Sequence, residues 1–449
     1  MKRYEAYRPT KYEWLTEVPT HWQTRTMRSL TTVSSERRGN REATLLSVYR
    51  EYGVIVKSSR DDNHNVESED LSNYKWVRTG DLVMNKMKMW QGSLGVSEFD
   101  GIVSPAYIVC HINDENVNRR YLHMLLRSPC YKTYYNQFSY GIRVGQWDMH
   151  YEDFKGLEVA LPPREEQDQI VRYLDWQVSK INRLIAAKRK QIKLLEATTA
   201  HYLENTIHKG TRNEQLVETG NPWINSAPIS WKKVRHKNVL TEKKEVVGEN
   251  HSQYTLLSLT TKGVIIRDTS SGKGKYPSDF STYQVVNPSN MVFCLFDVDE
   301  TPRTVGLSTH TGMITGAYTV YETHDALPEY LLYYFLSVDN KKGFKPLYSG
   351  LRKVIGKDVF SRQAIYLPSI EEQKEIVDAI QIRQAKSRNA IDLLEREIES
   401  LHDFRTRLIS DVVTGQVDVR GIQVPDDEYI NNEITEEEFE EESENNEEE

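Results

Sequence analysis

Two stretches of the chain place apolar side chains at alternating spacings of three and four, as in a helix that buries one narrow stripe. The pattern continues over about four heptads with charged flanks, which predicts two long helices paired through a coiled-coil seam. The predicted seam residues are Val178, Ile181, Ile185, Ile192, Leu195 and Tyr202 in the first helix, and Ile391, Leu394, Ile398, Leu401, Leu408 and Val412 in the second. Polar residues interrupt both stripes, and they either fix the register of the pair or face partner subunits. The interrupting residues are Lys188, Thr199, Gln384, Ser387 and Arg405.

Both predicted helices have the same start and stop signals. Each begins after a Leu-Pro loop with a Glu-Glu-Gln triplet, at residues 165–167 and 371–373, and the acidic side chains favour the positive end of the helix dipole. Each ends near a glycine, Gly210 or Gly415, which is the residue type favoured just beyond a helix. These signals predict spacer helices at residues 164–210 and 370–416.

The two segments that precede these helices mix short alternating or β-branched runs with Gly, Asn and Asp turns, which predicts a mixed α/β globule in each half. Short motifs of the first half recur about 206 to 211 residues later, and so long a period indicates a duplicated domain. The recurring motifs include Trp14, Pro19 and Trp22, which return as Trp223, Pro228 and Trp231, and Leu161-Pro162-Pro163-Arg164-Glu165-Glu166-Gln167, which returns as Leu367-Pro368-Ser369-Ile370-Glu371-Glu372-Gln373.

The predicted fold class is therefore α+β (mixed α/β), with two similar domains at residues 1–163 and 211–369. The two long antiparallel helices separate them in a pseudo-twofold, circular arrangement. Because the linker after Gly210 and the segment before Trp14 have nearly the same length, we expect residues 1–13 to lie near Gly415.

Composition refines this interpretation. With 38% hydrophobic residues and a mean hydropathy of -0.64, the chain has the composition of a soluble globular protein, and we expect it in the cytoplasm. Its three cysteines form no CxxC pair, so neither a disulfide framework nor a metal site is predicted. The net charge of -8 is uneven, because residues 426–449 carry 14 acidic and no basic side chains. We therefore expect an acidic, disordered tail at residues 417–449 and a mildly basic body, which suits a DNA partner.

The alternation of mixed α/β domain and Leu-Pro…Glu-Glu-Gln helix, repeated twice, resembles the specificity subunit (HsdS) of Type I restriction-modification systems over residues 1 to about 420. The resemblance implies two target-recognition domains, each reading one half of a bipartite, asymmetric site in double-stranded DNA. It also implies that the helices set the spacer and dock two methyltransferase (M) subunits, and that motor-nuclease (R) subunits then complete the complex.

The resemblance implies a chain that is not itself an enzyme. In the family, the assembled complex is an adenine-specific DNA methyltransferase and ATP-dependent endonuclease, and its partner subunits use S-adenosylmethionine, ATP and Mg²⁺. This chain would bind no cofactor, and the sequence has no Asp/Asn-Pro-Pro-aromatic motif, no P-loop and no GxGxxG after a predicted strand. Two alternatives stay open: a single-chain methyltransferase or nuclease with built-in recognition, and a coiled-coil scaffold for protein partners.

Candidate DNA-binding residues are basic or amide side chains in glycine-bounded loops or after a predicted strand. Glycine allows close approach of the backbone to a ligand, and an arginine fork suits phosphate or guanine. The candidates are Arg143, Gln146, Arg352, Lys353, Lys357, Lys86, Lys88, Arg303, Lys273 and Lys275. Solvated turns and half-exposed strands would have the same composition, so the sequence does not rank these residues.

Overall fold

The computed structural model describes residues 2–50, 52–59, 70–141, 147–221, 223–267, 280–298, 300–348, 350 and 353–425. The chain divides into two compact units. Unit 1 comprises Met1–Lys188 and Glu395–Glu449, and unit 2 comprises Arg189–Leu394. Unit 1 is therefore built from both ends of the sequence, whereas unit 2 is one continuous segment.

Unit 1 has twelve short strands and four short helices among its described residues. The strands are β1 (Tyr7–Tyr12), β2 (Leu15–Pro19), β3 (Gln23–Thr26), β4 (Thr31–Val33), β5 (Leu46–Tyr49), β6 (Gly53–Val56), β7 (Lys75–Val77), β8 (Leu82–Asn85), β9 (Leu94–Val96), β10 (Gly101–Val103), β11 (Tyr107–Ile112) and β12 (Glu158–Leu161). The helices are α1 (Met27–Leu30), α2 (Arg119–Leu126), α3 (Pro129–Phe138) and α4 (Tyr151–Phe154). The first long helix, α5 (Arg164–Lys209), follows them and continues into unit 2.

Unit 2 also has twelve described strands, with two short α-helices in place of four. Its described strands are β13 (Leu216–Glu218), β14 (Ser226–Pro228), β15 (Lys232–Arg235), β16 (Leu240–Lys243), β17 (Leu257–Thr260), β18 (Gly263–Ile266), β19 (Gln284–Val286), β20 (Met291–Phe293), β21 (Val305–Leu307), β22 (Gly312–Ile314), β23 (Thr319–Thr323) and β24 (Ala364–Leu367). Its short helices are α6 (Pro328–Asn340) and α7 (Lys357–Arg362). The second long helix, α8 (Ile370–Val413), begins in unit 2 and ends in unit 1.

The two units have the same sheet topology. The largest sheet is antiparallel, in the order β4-β11-β8-β9 in unit 1 and β16-β23-β20-β21 in unit 2. Each of the four remaining strand pairs of unit 1, β1-β2, β3-β12, β5-β6 and β7-β10, has a counterpart in β13-β14, β15-β24, β17-β18 and β19-β22. Within the described residues, the sequence repeat therefore corresponds to a repeated architecture, and the predicted α+β class with two long helices is confirmed.

Local sequence explains where the helices of each unit begin and end. Asn118 caps α2, since its side chain accepts hydrogen bonds from the backbone amides of Arg120 and Tyr121. Proline occupies the first turn of α3 and of α6. Beyond the long helices, Gly210 (φ 71°) and Gly415 (φ 75°) adopt the left-handed conformation expected of a stop signal.

Side-chain contacts show that the two long helices are antiparallel. In unit 1, Lys188 Nζ lies 2.6 Å from Glu397 Oε2, and Arg405 donates to Asn182 Oδ1 at 2.7 Å. The later residue of α5 pairs with the earlier residue of α8, and the earlier residue of α5 pairs with the later residue of α8, so the two helices run in opposite directions. Two of the polar residues that interrupt the predicted stripe, Lys188 and Arg405, thus bond across the pair and fix its register.

Burial along the predicted seam varies. Ile181, Ile185, Leu408 and Val412 are buried. The half-buried positions are Val178, Ile192, Leu195, Ile391, Leu394, Ile398 and Leu401. Tyr202 differs from the predicted pattern, because its side chain is 38% exposed while Leu203 and Ile207 are buried in the core of unit 2. The last turns of α5 therefore direct their apolar face toward the globule of unit 2, and the stripe shifts by one position.

The predicted disordered tail begins too early. Val417 and Val419, which belong to the predicted tail, are buried in the core of unit 1, and the amide of Asp418 donates to the carbonyl of Lys2 at 2.9 Å. The Tyr7 hydroxyl donates to the Gly415 carbonyl at 2.8 Å. The expectation that residues 1–13 lie near Gly415 is therefore confirmed within unit 1, and residues 426–449 lie outside the described part.

Candidate nucleic-acid interface

The repeated sequence motifs of unit 1 meet at the start of α5. Glu166 is 7% exposed, and its carboxylate accepts hydrogen bonds from the Tyr4 hydroxyl (2.7 Å) and from Trp22 Nε1 (3.0 Å). His21 Nε2 lies 2.8 Å from the second carboxylate oxygen. The Trp22 ring also packs beside Gly415, where a Cβ atom would approach it to 3.0 Å. These motif residues join the start of α5, the end of α8 and the first strands.

The equivalent residues of unit 2 form a similar junction. A Cβ atom on Gly210 would lie 2.7 Å from Glu372 Oε1 and 3.2 Å from the Trp231 ring, so carboxylate and ring both lie against this glycine. Arg212 is the nearest described cation, 4.0 Å from Glu372 Oε2. Burial raises the pKa of the Glu372 carboxyl group.

The glutamine of each Glu-Glu-Gln triplet bonds to the loop before its own helix and to the start of a second helix, and we call this pair of bonds the glutamine clamp. Gln167 Nε2 donates to the Pro162 carbonyl at 2.9 Å, and its Oε1 accepts from the Asn118 amide at 2.8 Å. Gln373 makes the same two bonds, to the Pro368 carbonyl at 3.0 Å and from the Leu327 amide at 2.8 Å. The Glu-Glu-Gln motif therefore has a structural role. Its glutamine supplies a hydrogen-bond partner to a backbone amide at the start of α2 or α6, and such amides need a partner when they are removed from water.

In unit 1, the sequence-predicted lysines lie on a helix. Lys86 and Lys88 belong to a 3-10 helix, Lys86–Gln91, that directly follows β8. Lys86 Nζ lies 3.6 Å from Asp148 Oδ2, and Lys88 is exposed. Arg143 and Gln146 lie outside the described residues.

In unit 2, the described candidates all lie beside acidic or amide side chains. Arg303 donates to Asn340 Oδ1 at 2.9 Å and lies 3.5 Å from Asp339, a carboxylate that is 2% exposed. The other two ion pairs join Lys353 to Glu300 (2.7 Å) and Lys357 to Glu242. Arg352, Lys273 and Lys275 lie outside the described residues. Ion pairs that solvent can reach hold long side chains only weakly, so another anion can compete with these carboxylates.

Sequence reasoning missed an arginine-rich segment in unit 1, residues 36–42, which we call the arginine loop. The Arg41 guanidinium stacks 3.9 Å from the centroid of the Trp76 ring. Glu36 accepts hydrogen bonds from Arg41 NH1 and from Arg78 NH2, each at 2.8 Å, and the Arg37 side chain donates to the Asn73 carbonyl at 2.9 Å. The sequence feature that could have identified this loop is the presence of three arginines within five residues.

Lys75, on β7 beside this loop, adds to the positive charge. Its ammonium group donates to the Tyr107 carbonyl. Burial lowers the pKa of Lys75, and the neighbouring cations Arg37 and Lys86 lower it further. Lys75 is therefore close enough to Arg37 and Lys86 for their charges to act on one another.

Two further kinds of feature, clusters of metal ligands and membrane-spanning helices, are absent from the described residues. Among them, no group of three or more His, Cys, Asp or Glu side chains is arranged to hold a metal ion. No helix in the described part of the chain is long and apolar enough to cross a membrane.

Comparison with known proteins identifies the architecture. Residues 314–400, which include β23, α6, α7, β24 and much of α8, match the Type I restriction modification DNA specificity domain. The chain has the sequence signature and fold of a Type I restriction-modification specificity subunit. The sequence resemblance is thereby confirmed, and in unit 2 the matched segment contains the Gln373 clamp.

Relatives of this specificity-subunit family extend the match beyond one domain. The chain is 22% identical over 380 residues to the protein described as "Putative type I restriction enzyme MjaX specificity subunit" of Methanocaldococcus jannaschii, which covers 79% of this chain and 82% of the relative. The fold is similar to that of the HsdS subunit from Thermoanaerobacter tengcongensis, with 18% identity and a TM-score of 0.50 over 89% of this chain and 98% of that one. A chain from a structure of complex assembly and conformational transition of the type I R-M system gives a TM-score of 0.61 at 15% identity, over 89% and 99% of the two chains.

Proposed function

We propose that this specificity subunit reads a bipartite, asymmetric DNA target, with unit 1 and unit 2 each recognising one half of it. The repeated sheet order, β4-β11-β8-β9 and β16-β23-β20-β21, carries the proposal, because two modules of one fold with different surface side chains suit two different half-sites. Side chains of each unit would contact phosphates for affinity and base edges for sequence. The two long helices would set the number of base pairs between the half-sites.

The same helices would dock two methyltransferase subunits. Large apolar side chains lie exposed on them, outside the predicted seam. In unit 1 these are Leu184 (52% exposed) and Phe404 (46%), and in unit 2 they are Leu194 (62%), Ile382 (57%) and Leu393 (56%). Exposed apolar side chains of this size are favoured where a partner protein covers them.

We further propose that chemistry resides in the partner subunits, which would bind S-adenosylmethionine, ATP and Mg²⁺. The chain would supply recognition and geometry alone, and motor-nuclease subunits would join the complex of specificity and methyltransferase subunits. A single-chain methyltransferase or nuclease is the competing function, and it predicts activity from the isolated chain.

Methylome sequencing tests the proposal. A host that lacks adenine methylation would express this chain together with its methyltransferase subunit, and the expected result is methylated adenine within one two-part motif. Each subunit expressed alone is the control and should leave the DNA unmodified. Methylation at a continuous motif, or methylation by this chain alone, would contradict the proposed function.

A further inference from the structure

The arginine loop of unit 1 has a counterpart in unit 2, residues 245–251, which we call the valine loop, and the two share backbone hydrogen bonds as far as a glycine, Gly39 or Gly248. Each loop makes three such bonds to the neighbouring strand and to the residues that lead into it. In unit 1 these run from the amide of Trp76 to the carbonyl of Glu36 (3.1 Å), from Arg38 to Tyr74 (2.8 Å) and from Gly39 to Ser72 (3.0 Å). In unit 2 they run from Val285 to Glu245 (2.9 Å), from Val247 to Tyr283 (2.9 Å) and from Gly248 to Ser281 (3.2 Å).

Backbone conformation at the turn is also shared. Gly39 has a φ of 60° and Gly248 has a φ of 53°, and in each case a Cβ atom would meet open space. An isolated antiparallel bridge joins Arg37 to Lys75 in unit 1, and the equivalent bridge joins Val246 to Gln284 in unit 2. These contacts fix the residue-by-residue correspondence of residues 36–39 with residues 245–248, whereas beyond the glycine unit 2 continues as a 3-10 helix, Gly248–Gln253.

Side chains on this common backbone differ sharply between the units. Arg37 and Arg38 correspond to Val246, which is 56% exposed, and to Val247, which is buried. The arginine loop with residues 75–78 carries five basic and two acidic side chains. The valine loop with residues 284–287 carries two acidic side chains and neither Lys nor Arg. Lys243 and Lys244 directly precede it, at the positions of Ser34 and Ser35, and Lys243 pairs with Glu245 at 3.0 Å. Within the loop itself, the arginine charge is therefore specific to unit 1.

Arg37 and Arg38 are held in place by neutral backbone partners, whereas Arg41 and Arg78 share the Glu36 carboxylate. Arg37 NH1 bonds to the Asn73 carbonyl, and Arg38 Nε bonds to the Arg41 carbonyl at 2.7 Å. Backbone carbonyls orient a guanidinium without cancelling its charge, and each guanidinium has further N–H donors for a phosphate. A fixed side chain also loses less conformational entropy when it binds.

We propose that the arginine loop contacts DNA phosphates beside the half-site read by unit 1, and that the valine loop makes no such contact in unit 2. This inference rests on the proposed function and deepens it, because it assigns the ionic part of the affinity unequally to the two modules. Phosphate is the favoured ligand since the guanidinium groups of Arg37, Arg38 and Arg41 lie on one loop, whose residue 37 is bridged to Lys75 of β7.

Salt-dependent DNA binding tests this assignment. The full chain, in complex with its methyltransferase subunits, would be titrated by fluorescence anisotropy with a duplex that contains the methylated motif and with a scrambled duplex, between 50 and 300 mM KCl. For Arg37→Ala combined with Arg38→Ala, the slope of log Kd against log salt should fall by about 2, since each lost phosphate contact removes about 0.9. Both duplexes should weaken by the same factor, about tenfold or more at 100 mM salt.

Two matched variants complete the experiment. Arg37→Lys combined with Arg38→Lys keeps both charges and should retain the wild-type slope, which excludes a loss of folding as the cause. Val246→Ala occupies the equivalent position of unit 2 and should leave both slope and affinity unchanged.

Each result has one interpretation. An unchanged slope in the double alanine variant, while the wild type prefers the motif duplex, would overturn the inference and leave the proposed function intact. A loss confined to the motif duplex would also overturn it, because it would indicate base reading and not phosphate contact. A wild-type complex without preference for the motif duplex would instead contradict the proposed function itself.

Discussion

Gly415 is the position where one added methyl group should disturb unit 1 most clearly. It lies two residues beyond α8 with a φ of 75°, a conformation that alanine adopts only at a cost. A Cβ atom there would lie 2.5 Å from Pro19 Cδ and 3.0 Å from the Trp22 ring. Gly415→Ala must therefore displace the segment that donates a hydrogen bond to Glu166.

The expected cost has two parts. The left-handed conformation of a non-glycine residue costs about 1–2 kcal/mol. Forcing the proline and tryptophan rings away from a packed site costs about 1–3 kcal/mol more. We expect a total of about 2–5 kcal/mol, and each kilocalorie corresponds to about 2–4 °C in the melting temperature of a domain of this size.

Gly39→Ala is the matched control, because Gly39 is also in unit 1, has a φ of 60°, and offers open space to a Cβ atom. It should cost the conformational part alone, about 1–2 kcal/mol. Differential scanning calorimetry of the wild type and both variants would measure the two shifts. Equal shifts for Gly415→Ala and Gly39→Ala would refute the packing argument.

Three further variants test other contacts. Glu166→Ala should destabilise unit 1 by about 2–4 kcal/mol in urea unfolding, because it leaves buried donors unpaired, and an effect below about 1 kcal/mol would contradict that role. His236 is buried between aromatic rings, and burial lowers the pKa of its imidazole to about 3 from the ordinary value of 6.5. Between pH 6.5 and pH 3, this histidine therefore binds a proton in the unfolded chain but not in the folded one. The free energy of unfolding should therefore fall as the pH drops from 6.5 toward 3. The His236→Phe variant should reduce this pH dependence by up to about 1.4 kcal/mol per pH unit. The same pH dependence in the variant and the wild type would argue against a buried neutral imidazole. Lys188→Met should shift the unfolding free energy by less than about 1 kcal/mol, since its partner Glu397 is half exposed, and a larger loss would show that the pair does more than fix register.

The long helices and the duplication could be predicted from sequence because each produces a periodic pattern: the helices repeat apolar residues at spacings of three and four, and the duplicated domain repeats whole motifs. The 3-4 spacing, the Glu-Glu-Gln starts and the terminal glycines predicted α5 and α8 to within three residues at each end. Spacing alone did not predict the shift from Tyr202 to Leu203, because the last turns of α5 face a globule and not only the other helix. The burial of Val419 was likewise missed, since it depends on contact with residues from the opposite end of the chain.

The candidate DNA interface was less predictable than the fold. Lys86 and Lys88 were placed near the correct strand, but the sequence could not distinguish a strand from the 3-10 helix that follows it. The arginine loop was not predicted, because the candidates were basic or amide residues in glycine-bounded loops or after a predicted strand, and residues 36–42 contain a single glycine. This loop is of interest because its side chains differ between the two units: Arg37 of unit 1 occupies the position of Val246 in unit 2.

The division of the chain into units has a consequence for synthesis on the ribosome. Unit 2 is complete once residue 394 has been made and has left the ribosome, whereas unit 1 lacks part of its core until Leu408, Val412 and Val419 have followed. Domains generally fold as their segments emerge, so unit 2, although second in the sequence, is the first able to fold completely. The nascent first half must wait with apolar surface exposed, which makes unit 1 the part most dependent on chaperones and most sensitive to premature termination.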